Sequence, residues 1–94
     1  MIKKMKFENK VFGFGEIKDF AQCVFKNCEF KLELEDANFK SCNFRKCSFY
    51  STDEVSKIHF KRCTLKDETF FGLLRRVTFF ECFDRTAKKR LHNV

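Results

Sequence analysis

Large apolar residues recur at every fifth position in three runs, Phe20, Phe25, Phe30, then Phe39, Phe44, Phe49, then Phe60, Leu65, Phe70, and the runs lie 19 and 21 residues apart. A five-residue step matches neither the helical period of about 3.6 nor the strand period of about 2, so neither an amphipathic helix nor a half-buried strand can generate it. A coil of about four short sides does generate it, because the chain then returns above itself and each apolar residue stands over its counterpart one turn earlier. That is a solenoid, stabilised by contact between neighbouring coils along one continuous apolar axis.

Aligned as coils, the sequence predicts four columns. The first holds Phe20, Phe39, Phe60 and Phe79, the second Phe7, Phe25, Phe44 and Leu65, and the third Phe12, Phe30, Phe49 and Phe70. A weaker fourth is assigned to Leu34, Val55 and Leu74. Smaller residues stand two positions before the columns: Cys23, Cys42, Cys63 and Cys82 in one file, Cys28 and Cys47 in another, and Ala37, Ile58 and Val77 in a third. In a tight coil these positions also face inward, where only modest volume is free. Fifteen Phe with no Trp or Pro suit columns of rings stacked in register.

The same alignment gives the six cysteines a packing role. Their spacings, five residues within a coil and about a coil's length between coils, match no paired zinc-ligand pattern, and free Cys is among the most buried residue types. The N-terminal stretch Met1 to Glu16 lacks a signal-like apolar run, and no stretch is long enough to span a membrane. A cytoplasmic protein with reduced thiols, with no cofactor and no membrane partner, is the expectation.

The units Cys23-Val24-Phe25-Lys26-Asn27, Cys28-Glu29-Phe30, Ala37-Asn38-Phe39-Lys40-Ser41, Cys42-Asn43-Phe44-Arg45-Lys46, Cys47-Ser48-Phe49 and Cys63-Thr64-Leu65-Lys66-Asp67 resemble those of the pentapeptide repeat proteins. In that family a central Leu or Phe follows a small residue by two positions. The resemblance runs from about Phe7 to Cys82. It implies an all-β fold, a right-handed quadrilateral β-helix of about four coils. It also implies a protein partner, since several members act as DNA-like rods on gyrase or related topoisomerases.

Irregularity is confined to one place. Two sides of each coil keep the five-residue step, whereas the passage from the third column to the next first column takes 8, 9, 11 and 9 residues. Variable connections on a rigid scaffold are common binding surfaces. In the longest, Ser51 and Glu54 have capping-box spacing, which predicts a helical turn. The single domain is expected to divide into an N-terminal cap at 1–6, repeat coils at 7–83 and a basic cap or tail at 84–94. In the tail Asp84 would cap a short helix with Ala87 and Leu91 on one face.

Three surface features are candidate sites. Acidic residues Glu33, Glu35, Asp36, Asp53 and Glu54 gather at the variable corner, with Glu16 and Asp19 at the preceding one. Lys26, Arg45, Lys66 and Arg85 should form an outward basic ladder, with Lys40, Lys46, Lys61 and Arg62 near it. Extra rings in the last coil, Phe71, Phe80 and Phe83, would be either a homodimer interface or a seat for the terminal helix. His59 and His92 are isolated, and no nucleophile is matched to a base, so catalysis is not expected.

Function therefore has three candidates. One is a protein-binding rod, of the accessory kind found in phages and mobile elements, that modulates a nucleic-acid enzyme such as a topoisomerase. The second is a nucleic-acid-binding module that uses the basic ladder, in keeping with a net charge of +7. The third is a dimeric interaction scaffold.

Overall fold

The computed structural model describes residues 1–33 and 36–91. The first coil supplies β1 (Ile2–Lys3), β2 (Lys6–Glu8) and β3 (Val11–Phe12). The second supplies β4 (Asp19–Ala21), β5 (Val24–Lys26) and β6 (Glu29–Leu32), and the third β7 (Asp36–Lys40), β8 (Asn43–Arg45) and β9 (Ser48–Ser51). The fourth holds β10 (Lys57–Lys61), β11 (Thr64–Leu65) and β12 (Thr69–Gly72), and the last β13 (Arg76–Phe80) and β14 (Cys82–Asp84), followed by β15 (Lys89–Leu91). Corresponding strands pair in parallel. Sheet A is ordered β1-β4-β7-β10-β13, sheet C β12-β9-β6-β3, and sheet B β15-β14-β11-β8-β5-β2.

The first column runs in register from Ile2 through Phe20, Phe39 and Phe60 to Phe79, which makes four turns of a β-solenoid. Within a coil the rings meet edge-on, as Phe20 meets Phe25 at 5.0 Å and 87°. Between coils they stack, as Phe20 does on Phe39 at 5.4 Å and 4°. Both arrangements suit the ring quadrupole. All three small-residue files face inward; Ala37, Ile58 and the six cysteines are buried and Val77 is partly so.

Corners are made by residues in the left-handed region. Lys4, Gln22, Ser41, Arg62 and Glu81 turn the chain from sheet A to sheet B, and Asn9, Asn27, Lys46 and Asp67 turn it from sheet B to sheet C, with φ between 52° and 59°. Below the last coil their N–H groups donate to the next coil, for example Gln22 to Lys40 O at 2.8 Å and Lys46 to Lys66 O at 2.9 Å. The corner bonds thus continue the ladder between the sheets.

The fourth side departs from the expected column. Val55 is 56% exposed, and Leu34 lies outside the described residues. Leu32 fills the side in the second coil and Leu74 in the fourth, with Ser51 and Ser56 buried in the third. Two residues beyond Phe30, the four-residue strand β6 still points Leu32 inward, so the side begins earlier than a further five-residue step would place it. In the first coil Lys18 takes the inner position, its ammonium donating to Gly13 O at 2.7 Å and Glu16 O at 3.2 Å.

Both ends differ from expectation as well. Residues 1–6 are not a separate cap, because β1 and the start of β2 are regular sides of the first coil. Among the described residues there is no helix, and so none long and apolar enough to cross a membrane. Asp84 does accept the N–H groups of Thr86 at 2.9 Å and Ala87 at 3.3 Å, as an N-cap would. The chain then reverses, with Lys88 at φ 54°, and β15 pairs antiparallel with β14. An open strand edge offers a row of backbone partners, which a short helix could not satisfy. Nor does Ser51 begin a helical turn: the Asp53 carboxylate accepts the Val55 and Ser56 N–H groups, both at 2.8 Å, and closes a bend instead.

The body measures 30 × 29 × 20 Å. It is a squat prism, not a long rod.

Candidate polyanion-binding face

Sheet B turns two columns of side chains outward, because alternate residues of each three-residue strand face the axis. One column is Lys6, Val24, Asn43, Thr64 and Phe83. The other starts at Glu8 and continues through Lys26 and Arg45 to Lys66 and Arg85. Backbone bonds fix this second column: Lys46 N–H donates to Lys66 O at 2.9 Å and Arg85 N–H to Leu65 O at 2.7 Å. The backbones of four basic residues therefore stack one coil above another, at the strand spacing of about 4.8 Å. Glu8 closes the bottom of the line, 3.8 Å from the Lys26 ammonium.

Between the columns lies a shallow groove of about 390 Å³, floored by Phe25 and Phe44 and rimmed by Lys26, Arg45, Lys66 and Arg85. Thr64 donates its hydroxyl to the Asn43 side-chain carbonyl along one wall of it, which links adjacent coils there. Like charges this close repel, and salt screens them only in part. An anion laid along the groove relieves that repulsion.

The remaining predicted basic residues fall elsewhere. Lys46 sits on the corner directly after Arg45, adjoining the ladder. Lys40 and Lys61 belong to sheet A, in register with Lys3 and Phe80, and the Lys61 ammonium lies 5.8 Å over the Phe80 ring. Arg62 is paired with Glu81 at 3.5 Å.

The acidic corner is broken up by basic neighbours and by its own hydrogen bonds. Asp36 is in register with Lys57, which is in register with Arg76. Asp53 uses its carboxylate to close the bend, and Glu16 accepts the Gly13 N–H and lies 4.0 Å from Lys10. Glu33 and Glu54 are exposed, and Glu35 lies outside the described residues. The three extra rings are also dispersed, Phe71 on β12 against Tyr50, Phe80 on β13 and Phe83 on β14 facing Arg90, so each belongs to a different face.

Glu68 was not singled out from the sequence. It occupies the position that continues the Cys28 and Cys47 file, and its carboxylate accepts the N–H of Cys47 at 2.8 Å and that of Lys66. Burial, with Asp67 and Asp84 nearby, raises its pKa from 4.5 to about 7. The signal was a break in the file of small residues. His59 is hydrogen-bonded through Nδ1 to Thr78 at 2.7 Å, and His92 lies outside the described residues. Among the described residues no three metal-ligating side chains are grouped to hold an ion.

No family model matches this chain, and neither the curated proteins nor the solved structures hold a match to it.

Proposed function

We propose that this protein is a non-enzymatic binding module whose sheet B face holds a polyanion, with nucleic acid as the natural ligand. One observation carries the reading: Lys26 and Arg45 are in register on adjacent strands, Lys66 and Arg85 follow β11 and β14 at the corresponding position, and all four line one groove. Such a column suits a phosphate chain in its charge and its linear form, and it carries no sequence code of its own. We place the protein in the cytoplasm, where a glutathione pool sets the redox state of its thiols.

The competing reading, a DNA-like rod that modulates a topoisomerase, comes from the resemblance to pentapeptide repeat proteins and from the acidic corner. It is the weaker of the two. Asp36 stands in register with Lys57 and Lys57 with Arg76, Asp53 is spent on its own bend, and the body is no longer than it is wide.

Binding of single-stranded and duplex oligonucleotides, measured by fluorescence anisotropy across a salt series, tests the proposal. Four phosphate contacts predict a slope of log K against log salt of about −3 for single strands and about −3.6 for duplex. Reversing Lys26, Arg45 and Lys66 to Glu should abolish retention. A slope near zero, or unchanged binding by the triple variant, rules the face out; inhibition of a topoisomerase that survives the reversal would favour the competing reading.

A further inference from the structure

The cysteines at the corner between sheets A and B form a vertical file. Val24 is in register with Asn43, Asn43 with Thr64 and Thr64 with Phe83, so the preceding residues Cys23, Cys42, Cys63 and Cys82 stand one above another. All four are buried. The sulfurs of Cys63 and Cys82 each lie within hydrogen-bond reach of two carbonyls. For Cys63 these are Lys61 O and Phe39 O, for Cys82 Phe80 O and Phe60 O, all at 3.4 Å. Each thiol thus spans from its own coil to the one below.

Cys63 and Cys82 are further linked to each other. The Cys63 N–H approaches Cys82 Sγ at 3.5 Å, which sets the two thiols side by side in the file. In-register residues on neighbouring parallel strands have Cα atoms about 4.8 Å apart, inside the range of about 4.4–6.8 Å that a disulfide bridges. The adjacent Cys63 thiol lowers the Cys82 pKa to about 6, while its two sulfur neighbours and burial push that of Cys63 up.

Position in the fold separates this pair from the other cysteines. Cys42 and Cys63 have coils above and below them, whereas Cys82 opens β14, the last parallel strand of its sheet, whose outer edge is held only by the three-residue β15. Terminal elements open at the lowest free-energy cost, which gives a reagent access to a buried sulfur without global unfolding.

We propose that Cys82 and Cys63 are a thiol–disulfide exchange pair, through which a small disulfide of the glutathione class staples the last coil to the one beneath it. The Cys82 thiolate attacks one sulfur of the small disulfide, breaking its S–S bond and releasing one thiolate, which takes up the proton that Cys82 gave to solvent. Cys63 then loses its proton, attacks the Cys82 sulfur of the mixed disulfide and expels the second small thiolate, which is protonated in turn. Two protein thiols are oxidised to a disulfide, and one small disulfide is reduced to two thiols.

The staple has a consequence for the basic face. Cys63 and Cys82 each stand three residues before a ladder residue, Lys66 and Arg85. Oxidation holds the top two cations in line when the last coil would otherwise open. This consequence rests on the polyanion reading; the exchange does not.

The full-length chain is equilibrated without oxygen in buffers of oxidised and reduced glutathione, quenched by alkylation, and followed by intact mass, peptide mapping and hydrogen exchange. We expect loss of two hydrogens, a single Cys63–Cys82 cross-link, and amide exchange slowed about tenfold or more through β14 and β15. Cys82→Ala should abolish the cross-link and Cys42→Ala should leave it; if Cys82→Ala fails to fold, the map of the unsubstituted chain decides. A Cys42–Cys63 link, a glutathione adduct that persists on Cys82, or thiols that react only at the rate of global unfolding would overturn the pair. Oligonucleotide binding by the oxidised and reduced forms is measured alongside: no binding by either form removes the polyanion reading and leaves the exchange pair standing.

Discussion

Cys47 donates its backbone N–H to the Glu68 carboxylate one coil above, at 2.8 Å. The Sγ of Cys82 does the same for the N–H of Cys63, at 3.5 Å. Glu68 is therefore a structural substitute for a cysteine, a carboxylate placed where the file holds thiols. It makes a stronger acceptor than sulfur, but it adds a charge at the edge of an apolar column.

That charge sets a pH dependence. The folded pKa of Glu68 is raised to about 7 from 4.5, first by burial, so the folded chain binds this proton more tightly than the unfolded one. Its contribution is full below about pH 4.5 and is lost as pH rises to about 7, on the order of 2 kcal/mol in all. Urea denaturation from pH 4 to pH 8 should show Glu68→Gln gaining on the unsubstituted chain across that window. Parallel profiles would contradict the assignment.

The ring columns predict a gradient from centre to end. Phe44 is 3% exposed and touches rings in its own coil and in both neighbours, such as Phe39, Phe25 and Phe60. Phe44→Ala should cost about 3–5 kcal/mol. Phe70, at the open end and 37% exposed, should cost about 1–2 kcal/mol. Equal losses in chemical denaturation would mean that the column is not stabilised coil by coil.

Gly72 cannot be replaced without movement. Its φ is +79°, and a Cβ there would lie 2.5 Å from Ser51 O and 2.7 Å from the Tyr50 ring. Gly72→Ala should lose about 2 kcal/mol and disturb the Tyr50–Phe71 ring contact. A thermal midpoint equal to that of the unsubstituted chain would argue against the close approach.

Gln22 offers the opposite substitution. It turns a corner at φ 55°, which costs a non-glycine residue about 1–2 kcal/mol, while glycine's greater unfolded freedom costs about 0.5–1 kcal/mol. Gln22→Gly should therefore stabilise by about 0.5–1 kcal/mol, with its N–H bond to Lys40 O kept. A loss of stability on denaturation would show that the side chain contributes something beyond its backbone shape.

The three ring columns and the small-residue files were legible in the sequence because inward positions must be apolar or small, and that requirement repeats with every coil. The fourth side was not. Leu32 and Val55 are equally apolar, and which one faces inward depends on where the strand ends. The tail misled for a related reason: Asp84 does bind the next two N–H groups, yet the open edge of β14 draws the chain into a hairpin. Corner residues give only a partial signal: Asn9, Asn27 and Asp67 are of types that tolerate the left-handed region, whereas Lys4, Gln22, Lys46 and Arg62 are held in it by bonds to the next coil.

The candidate face divides in the same way. Sequence spacing alone put Lys26, Arg45, Lys66 and Arg85 one coil apart and on the outside, since a position next to an inward residue must face outward in an extended strand. It also grouped five acidic residues at one corner. Only the tertiary structure determined that the basic residues share one unbroken line while Asp36 meets Lys57 and Asp53 turns inward on its own loop. Periodicity is a property of the chain, but whether a charge is free or spent depends on its neighbours across coils, which no single run of residues contains.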